Sequence, residues 1–208
     1  MKKAIMFDLD GTLWDTTEQA GKIWARTAEK YRLKFDKSRI QEIMGLTHEE
    51  IVGLFFKDDP ELGSEFITEC FRNEVAYFAE HGGNIYQNTI ETIRALSRDF
   101  ELYIISNCQE GYIEAFLTYY NLQQYFRDYE SSGRTGEDKE FNIRRVRERN
   151  NVSDAVYVGD TQKDCLAASK NHMKFIWAKY GFGTCKEYDE AIEDISDLRK
   201  LRSLYDRA

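Results

Sequence analysis

Four consecutive apolar residues, Ala4-Ile5-Met6-Phe7, run straight into Asp8-Leu9-Asp10-Gly11-Thr12. A short apolar run of this kind reads as a buried strand. It ends abruptly in two carboxylates one residue apart, followed by a glycine that lets the backbone turn sharply and a small hydrogen-bonding threonine. Side chains alternate faces along a strand, so Asp8 and Asp10 are expected to point the same way from its carboxyl end. That edge is where open α/β sheets bind their ligands. Carboxylates this close repel each other, and they are tolerated where a divalent cation sits nearby or where one holds a proton. Taken alone, an Asp-x-Asp is equally a strand end capped by a polar turn. The rest of the chain decides between the two.

From about Thr16 to His81 the pattern is helical throughout. Ile23, Trp24, Thr27, Ala28 and Tyr31 recur at helical spacing, as do Ile40, Ile43 and Met44, then Ile51, Val52, Leu54 and Phe55, then Phe66, Ile67, Cys70, Phe71, Val75 and Phe78. Breaks fall near Phe35-Asp36, at Gly45-Leu46-Thr47 and at Asp58-Asp59-Pro60, and His81-Gly82-Gly83-Asn84 marks the clearest boundary. Beyond it helix and strand alternate. Strands are expected at Leu102–Ile105, near Tyr125–Tyr129, at Ala155–Val158 and at Lys174–Ala178. Helices are expected over Thr89–Ser97, Tyr112–Tyr120, Phe141–Arg149, Cys165–Lys170 and Ile195–Leu204. Such alternation predicts an α/β fold, a Rossmann-like parallel sheet flanked by helices. An α-helical module is inserted after the first strand, dividing the chain into a core of residues 1–15 and 83–208 and an insert of residues 16–82.

Composition removes several function classes. The 208 residues carry a net charge of −8, which argues against nucleic acid or an anionic membrane as the main partner. A single proline and 42% hydrophobic residues argue for a folded chain. Cys70, Cys108, Cys165 and Cys185 are far apart with no C-x-x-C spacing, as expected for free thiols in a reducing compartment. No apolar run approaches a membrane span, and the first strand begins too early to leave room for a signal peptide, so a cytoplasmic location is expected.

Further strand ends carry polar residues suited to phosphate. Ser106-Asn107 follows one strand, Gly159-Asp160-Thr161-Gln162-Lys163-Asp164 follows another, and Lys139 precedes a helical pattern between them. In an open sheet these ends can converge on one crevice. Asp8, Asp10, Asp160 and Asp164 would then crowd four negative charges together, and hard oxygen ligands without histidine or thiolate select Mg²⁺.

This order of motifs resembles the haloacid dehalogenase-like superfamily of phosphohydrolases, and its phosphoglycolate phosphatase-like branch in the helical cap that follows the first strand. The resemblance implies a phosphatase acting on a small phosphorylated metabolite, with phosphoglycolate as the family's default substrate. It implies Asp8 as nucleophile forming an aspartyl-phosphate, and Asp10 as the acid that protonates the leaving alcohol and then the base that activates water. It implies Mg²⁺ held by the Asp8 carboxylate, the Asp10 carbonyl and Asp160, with Asp164 acting through water. Ser106, the Asn107 backbone and Lys139 would bind the phosphoryl oxygens. Departures exist. Lys139 is followed by Glu140-Phe141 where the family often has proline, so Arg134 stands as the alternative donor. Gly159-Asp160 replaces the Glu-Asp usual in sugar-phosphate mutases, which favours a phosphatase over a β-phosphoglucomutase-like enzyme. A non-catalytic phospho-switch is the third alternative, disfavoured by the second acid at Asp10 and by the large insert.

Other features have plainer readings. Asp164 can serve as a helix cap, and Ser106-Asn107 as a turn pair. His48-Glu49-Glu50-Ile51-Val52 begins like a zinc-protease motif but lacks the second histidine, so Thr47 and His48 are read as insert residues that could face substrate. The arginines at 144, 145, 147 and 149 read as a solvated helix face. Trp14, Trp24 and Trp177 read as packing residues, and Gly181-Phe182-Gly183 is too short for a nucleotide fingerprint.

Overall fold

The computed structural model describes residues 3–200. Strand β1 (Ala4–Phe7) leads through a tight turn to β2 (Trp14–Asp15). Three helices follow: α1 (Thr17–Lys30), α2 (His48–Phe55) and α3 (Pro60–His81). The chain returns in β3 (Asn84–Ile85), which pairs antiparallel with β2 and clamps the entry and exit of the helical insert. Alternation then sets in through α4 (Thr89–Leu96), β4 (Glu101–Ser106), α5 (Tyr112–Tyr119), β5 (Phe126–Ser131), the short α6 (Ser132–Thr135) and α7 (Lys139–Arg149). It ends with β6 (Ala155–Gly159), α8 (Gln162–Lys170), β7 (Lys174–Ala178) and β8 (Glu190–Ile192).

Six strands form one parallel sheet in the order β5-β4-β1-β6-β7-β8. The chain winds outward from β1 to β5 on one side, then crosses back and winds outward from β6 to β8 on the other. The switch point is therefore β1 itself, flanked by β4 and β6, and the crevice at its carboxyl edge is the place such sheets offer a ligand. Phe7 is level with Ile104 on one neighbour and Val158 on the other. Asp8, Ser106 and Asp160 consequently emerge at one edge.

Alternation along the strands divides the core. Ile5, Phe7, Leu102, Ile104, Val156 and Val158 pack on one face together with Trp14 and Phe116. Ala4, Met6, Tyr103, Ile105 and Tyr157 pack on the other with Ile143 and Val146 of α7 and Ala168 of α8. The insert has its own cluster, which includes Trp24, Ile40, Ile51, Phe66 and Ile67. Trp14, fully buried, meets Phe78 of α3 at 5.3 Å and Tyr112 and Phe116 of α5 at 5.2 and 5.0 Å. Each such pair contributes about 0.5–1.5 kcal/mol beyond area burial, so this indole fastens insert to core.

The breaks read from the insert have specific chemistry. The Asp36 carboxylate accepts from Ser38 N, the Thr47 hydroxyl and Glu50 form a reciprocal capping box, and Asp59 caps α3 with Pro60 in its first turn. Three expectations need correction. Ile40 and its neighbours lie in a 3-10 turn, Lys37–Glu42, rather than an α-helix, because the Asp36 cap and Gly45 leave only a short stretch between them. The three-residue strand β8 carries too brief an apolar pattern to be seen in advance. Of the expected tail helix, Ile195–Lys200 is 3-10, and its remainder falls outside the described residues.

Candidate active site

Asp8 follows Phe7 on the face already occupied by Ala4 and Met6, the face that packs against α7. There Lys139, the first residue of α7, donates from Nζ to Asp8 Oδ1 at 2.8 Å and to Asp164 Oδ1 at 2.5 Å. The start of α7 is set by Asp138, whose side chain accepts from Phe141 N. Lys139 is buried, with its ammonium 5.9 Å from the Tyr157 ring centre. Burial alone would weaken its hold on a proton, but the attraction of Asp164 and Asp8 outweighs that and pushes its pKa well above the ordinary lysine value. Arg134, the alternative donor, is elsewhere: its guanidinium pairs with Glu130 at 3.1 Å and lies over Tyr129.

Asp164 occupies the third position of α8, with Thr161 as the cap. Its Oδ2 accepts from Thr161 N at 2.9 Å and Thr161 Oγ1 at 2.6 Å, leaving Oδ1 for Lys139. The capping role and the site role thus fall on different oxygens of one carboxylate. Asp160, just past β6, accepts at Oδ2 from Phe182 N at 2.8 Å and Gly183 N at 3.1 Å. The Gly181-Phe182-Gly183 loop is therefore a cradle for Asp160. A Cβ on Gly181 would stand 2.3 Å from that of Asp160, and one on Gly11 would stand 2.3 Å from Asp160 Oδ2. Gly11 also holds φ +79°, a left-handed conformation that favours glycine.

Asp10 departs from the strand-alternation expectation. The Leu9 carbonyl accepts from Thr12, Leu13 and Trp14 N–H groups, so the chain has left the strand before Asp10. This turn swings Asp10 toward the opposite layer, where Tyr112 Oη donates to Asp10 Oδ1 at 3.0 Å and Thr16 Oγ1 donates to the same oxygen at 3.1 Å. Asp8 and Asp10 still line one cavity with Ser106 and Asn107. Their environments differ. One faces an ammonium, the other two hydroxyls.

Ligand oxygens of Asp8, Asp160 and Asp164 all lie within 4.8 Å of one another, and all three residues are buried. Asp160 Oδ1 is buried with no hydrogen-bond partner among the described residues. An orphaned carboxylate oxygen in an all-oxygen set, with one lysine against three acids, fits a hard divalent cation such as Mg²⁺. The proton affinities respond to the same crowding. Burial, then repulsion from Asp164, raises Asp8 well above the usual carboxylate range, and the same causes push Asp160 up to about 7. Burial raises Asp10 to about 6, against the opposing hydrogen bonds from Tyr112 and Thr16.

From the insert, Met44, Gly45 and Leu46 reach the cavity. Thr47 and His48 line a neighbouring groove that also borders Asn107 and Gly133. Thr47 is occupied in capping α2, and His48 Nε2 faces Ser64 and Thr68 on α3. Ser106 is buried and its hydroxyl accepts from Cys108 N at 3.3 Å. The Asn107 side chain donates to Gly45 O at 3.0 Å and accepts from Ser132 Oγ at 3.0 Å, tying the core loop to the insert.

Thr16, Tyr112, Glu74 and Gln109 went unnoticed as site residues in the sequence. The available signal was Glu74 at helical spacing between Cys70 and Phe78, an acid on an otherwise buried row.

Comparison with known proteins gives a consistent context. The family model described as haloacid dehalogenase-like hydrolase matches residues 5–178. A predicted phosphatase from Clostridium acetobutylicum superposes with a TM-score of 0.83 at 24% identity, covering 99% of each chain. A predicted phosphoglycolate phosphatase from Haemophilus somnus gives 0.83 at 17% identity, covering 97% of this chain and 98% of that one. CbbY from Rhodobacter sphaeroides, solved in complex with phosphate, gives 0.81 at 20% identity over 95% of this chain and 96% of its own. At these identities the likeness is one of fold. No curated protein sequence matches the chain.

Proposed function

This chain belongs to the haloacid dehalogenase-like hydrolase family, and on that premise we propose that it is a Mg²⁺-dependent phosphatase that cleaves a small organic phosphomonoester through an aspartyl-phosphate on Asp8. One observation carries the proposal: the buried Lys139 ammonium bridges Asp8 and Asp164 at the sheet's switch point, while Asp10 lines the same cavity under separate control. Neighbours in fold crystallised with phosphate and with xylulose-1,5-bisphosphate support a phosphate ester as substrate.

Each residue has a distinct task. Ser106, the Asn107 backbone and Lys139 hold the phosphoryl oxygens and direct phosphorus toward Asp8. An Asp8 oxygen attacks phosphorus as the bond to the leaving oxygen breaks, and protonated Asp10 gives its proton to that oxygen, releasing the alcohol. Asp10, now ionised, takes a proton from a water that attacks the same phosphorus. Phosphate leaves, and Asp8 and protonated Asp10 are restored. Asp8, Asp160 and the Asp10 carbonyl would hold Mg²⁺, with Asp164 reached through water while its Oδ1 also fixes Lys139 beside them. When bound, the cation offsets carboxylate and phosphoryl charge. The helical insert acts as the cap that excludes water before attack and selects the leaving group.

Gly159 stands where the sugar-phosphate mutases that the chain resembles usually carry glutamate, which favours hydrolysis, and a side chain there would meet Asp164, the added Cβ standing 2.6 Å from the aspartate's own. The test is phosphate release from a panel of phosphomonoesters, with and without Mg²⁺. Release that needs the cation supports the assignment. A panel with no turnover, or sugar phosphate isomerised without net release, overturns it.

A further inference from the structure

Glu74 is a buried acid facing the cavity of Asp8 and Asp10 from the insert side. It sits on α3 with 6% of its surface exposed. Its Oε1 accepts from Trp24 Nε1 and its Oε2 from Gln109 Nε2, each at 2.7 Å. Both donors are neutral, and no cationic side chain pairs with Glu74 among the described residues. Each oxygen is served by an N–H, the arrangement an ionised carboxylate needs, yet the positive charge that would justify burying it is missing. Without that charge, burial pushes the carboxyl up to about 8, partly opposed by the two hydrogen bonds.

The surroundings define what fills the gap. The cavity offers about 40 Å³ and is polar at the end formed by Asp8, Asp10 and Ser106. From the insert its lining includes Trp24, Ile40, Ile43, Ile51 and Phe71, with Glu74 as the acidic group among them. Gln109 belongs to the loop that begins at Ser106, so recognition at Glu74 is linked directly to the phosphoryl end.

Resting on the phosphatase assignment above, we propose that Glu74 is the specificity-determining residue of this site. It receives the protonated amine of an aminoalkyl phosphate whose phosphoryl group lies at Asp8. At about 40 Å³ the whole cavity holds only a few water-sized groups, at about 10–15 Å³ per enclosed water, which favours the shortest aminoalkyl esters. The apolar lining packs against the alkyl spacer, and the ammonium supplies the counter-charge. A leaving group carrying its own carboxylate, such as glycolate, supplies no counter-charge for Glu74 and is disfavoured.

The test compares kcat/KM for phosphate release from 2-aminoethyl phosphate, 2-hydroxyethyl phosphate, propyl phosphate and phosphoglycolate, for wild type and Glu74→Gln. In the wild type the amine should exceed the propyl isostere by about tenfold or more and should also exceed the hydroxyl ester and phosphoglycolate. In Glu74→Gln the amine-to-propyl ratio should fall to about unity. A wild-type enzyme that uses the propyl, hydroxyl or glycolate ester as well as the amine overturns the proposal, whether or not the variant folds. Discrimination retained in a folded variant overturns it as well. No release from these esters or from an aryl phosphate would overturn the phosphatase assignment and this inference together, an outcome distinct from turnover without preference.

Discussion

Lys139 Nζ donates to Asp8 Oδ1 across 2.8 Å, placing the first residue of α7 against the end of β1. The contact joins segments 131 residues apart, and it makes the lysine both a counter-ion in the resting protein and a donor beside the proposed nucleophile. Breaking a buried pair from one side leaves the other charge uncompensated. Lys139→Met is therefore expected to destabilise the metal-free protein by about 3–5 kcal/mol, with Asp8 and Asp164 left facing each other. Thermal melts with and without Mg²⁺ check this. The cation should stabilise the variant more than the wild type, and a variant as stable as wild type without Mg²⁺ would contradict the pairing.

The strand ends of this site were readable because buried parallel strands appear as short apolar runs, and Asp8, Ser106 and Asp160 stand directly after such runs. Lys139 was readable only through motif order, since nothing local distinguishes it from other helix-starting lysines. The orientation of Asp10 was not readable. It depends on three N–H groups converging on Leu9 O, a turn that overrides the period of two. Tyr112 and Glu74 were hidden for a different reason. Each sits on a helical row that looks like packing, and each meets the site only through tertiary contact. The arginines of α7 do form a largely exposed face, with Arg144, Arg145 and Arg149 exposed, but two of them also hold specific partners that the sequence does not show. Arg147 donates to the carbonyls of Val152, Ser153 and Asn171, and Arg149 pairs with Asp128 and the buried Glu130.

Tyr112 bears on pH dependence. In the proposed mechanism Asp10 carries a proton to release the alcohol, and burial has raised its pKa to about 6. Under conditions where this step limits kcat/KM, the rate should fall about tenfold per pH unit above that value. The Tyr112 hydroxyl favours the charged form of Asp10. Tyr112→Phe should therefore move the falling limb to higher pH, as measured by pH–rate profiles of both proteins. A limb that stays put or moves down contradicts the role.

Glu74 should also leave a mark on stability. Its folded pKa, about 8, lies above its ordinary value of 4.5. Below 4.5 both folded and unfolded chains hold the proton. Between those values the unfolded chain releases it while the folded one retains it, so this group makes stability fall as pH rises, and the loss levels off above about 8. Glu74→Gln removes the contribution. The stability difference between variant and wild type should grow in the variant's favour across that window in denaturant titrations.

Arg149 provides a control remote from the chemistry. It binds Glu130, which is about 1% exposed, together with Asp128. Arg149→Ala should cost about 2 kcal/mol, the scale of hydrogen bonds to a charged group. Arg134 and Arg145 still reach Glu130, which keeps the loss moderate. Urea unfolding reads the change, and kcat on any accepted ester should stay close to wild type.

The proposed role of Asp8 as the nucleophile that accepts the phosphoryl group is open to direct measurement. Enzyme quenched in acid during steady turnover with Mg²⁺ and then digested should yield the peptide containing Asp8 with one added phosphoryl group. Asp8→Asn, confirmed as folded, should show none and should release phosphate roughly 10³-fold more slowly or worse. A phosphoryl group found on another residue, or phosphate release by Asp8→Asn at the wild-type rate, would contradict the mechanism.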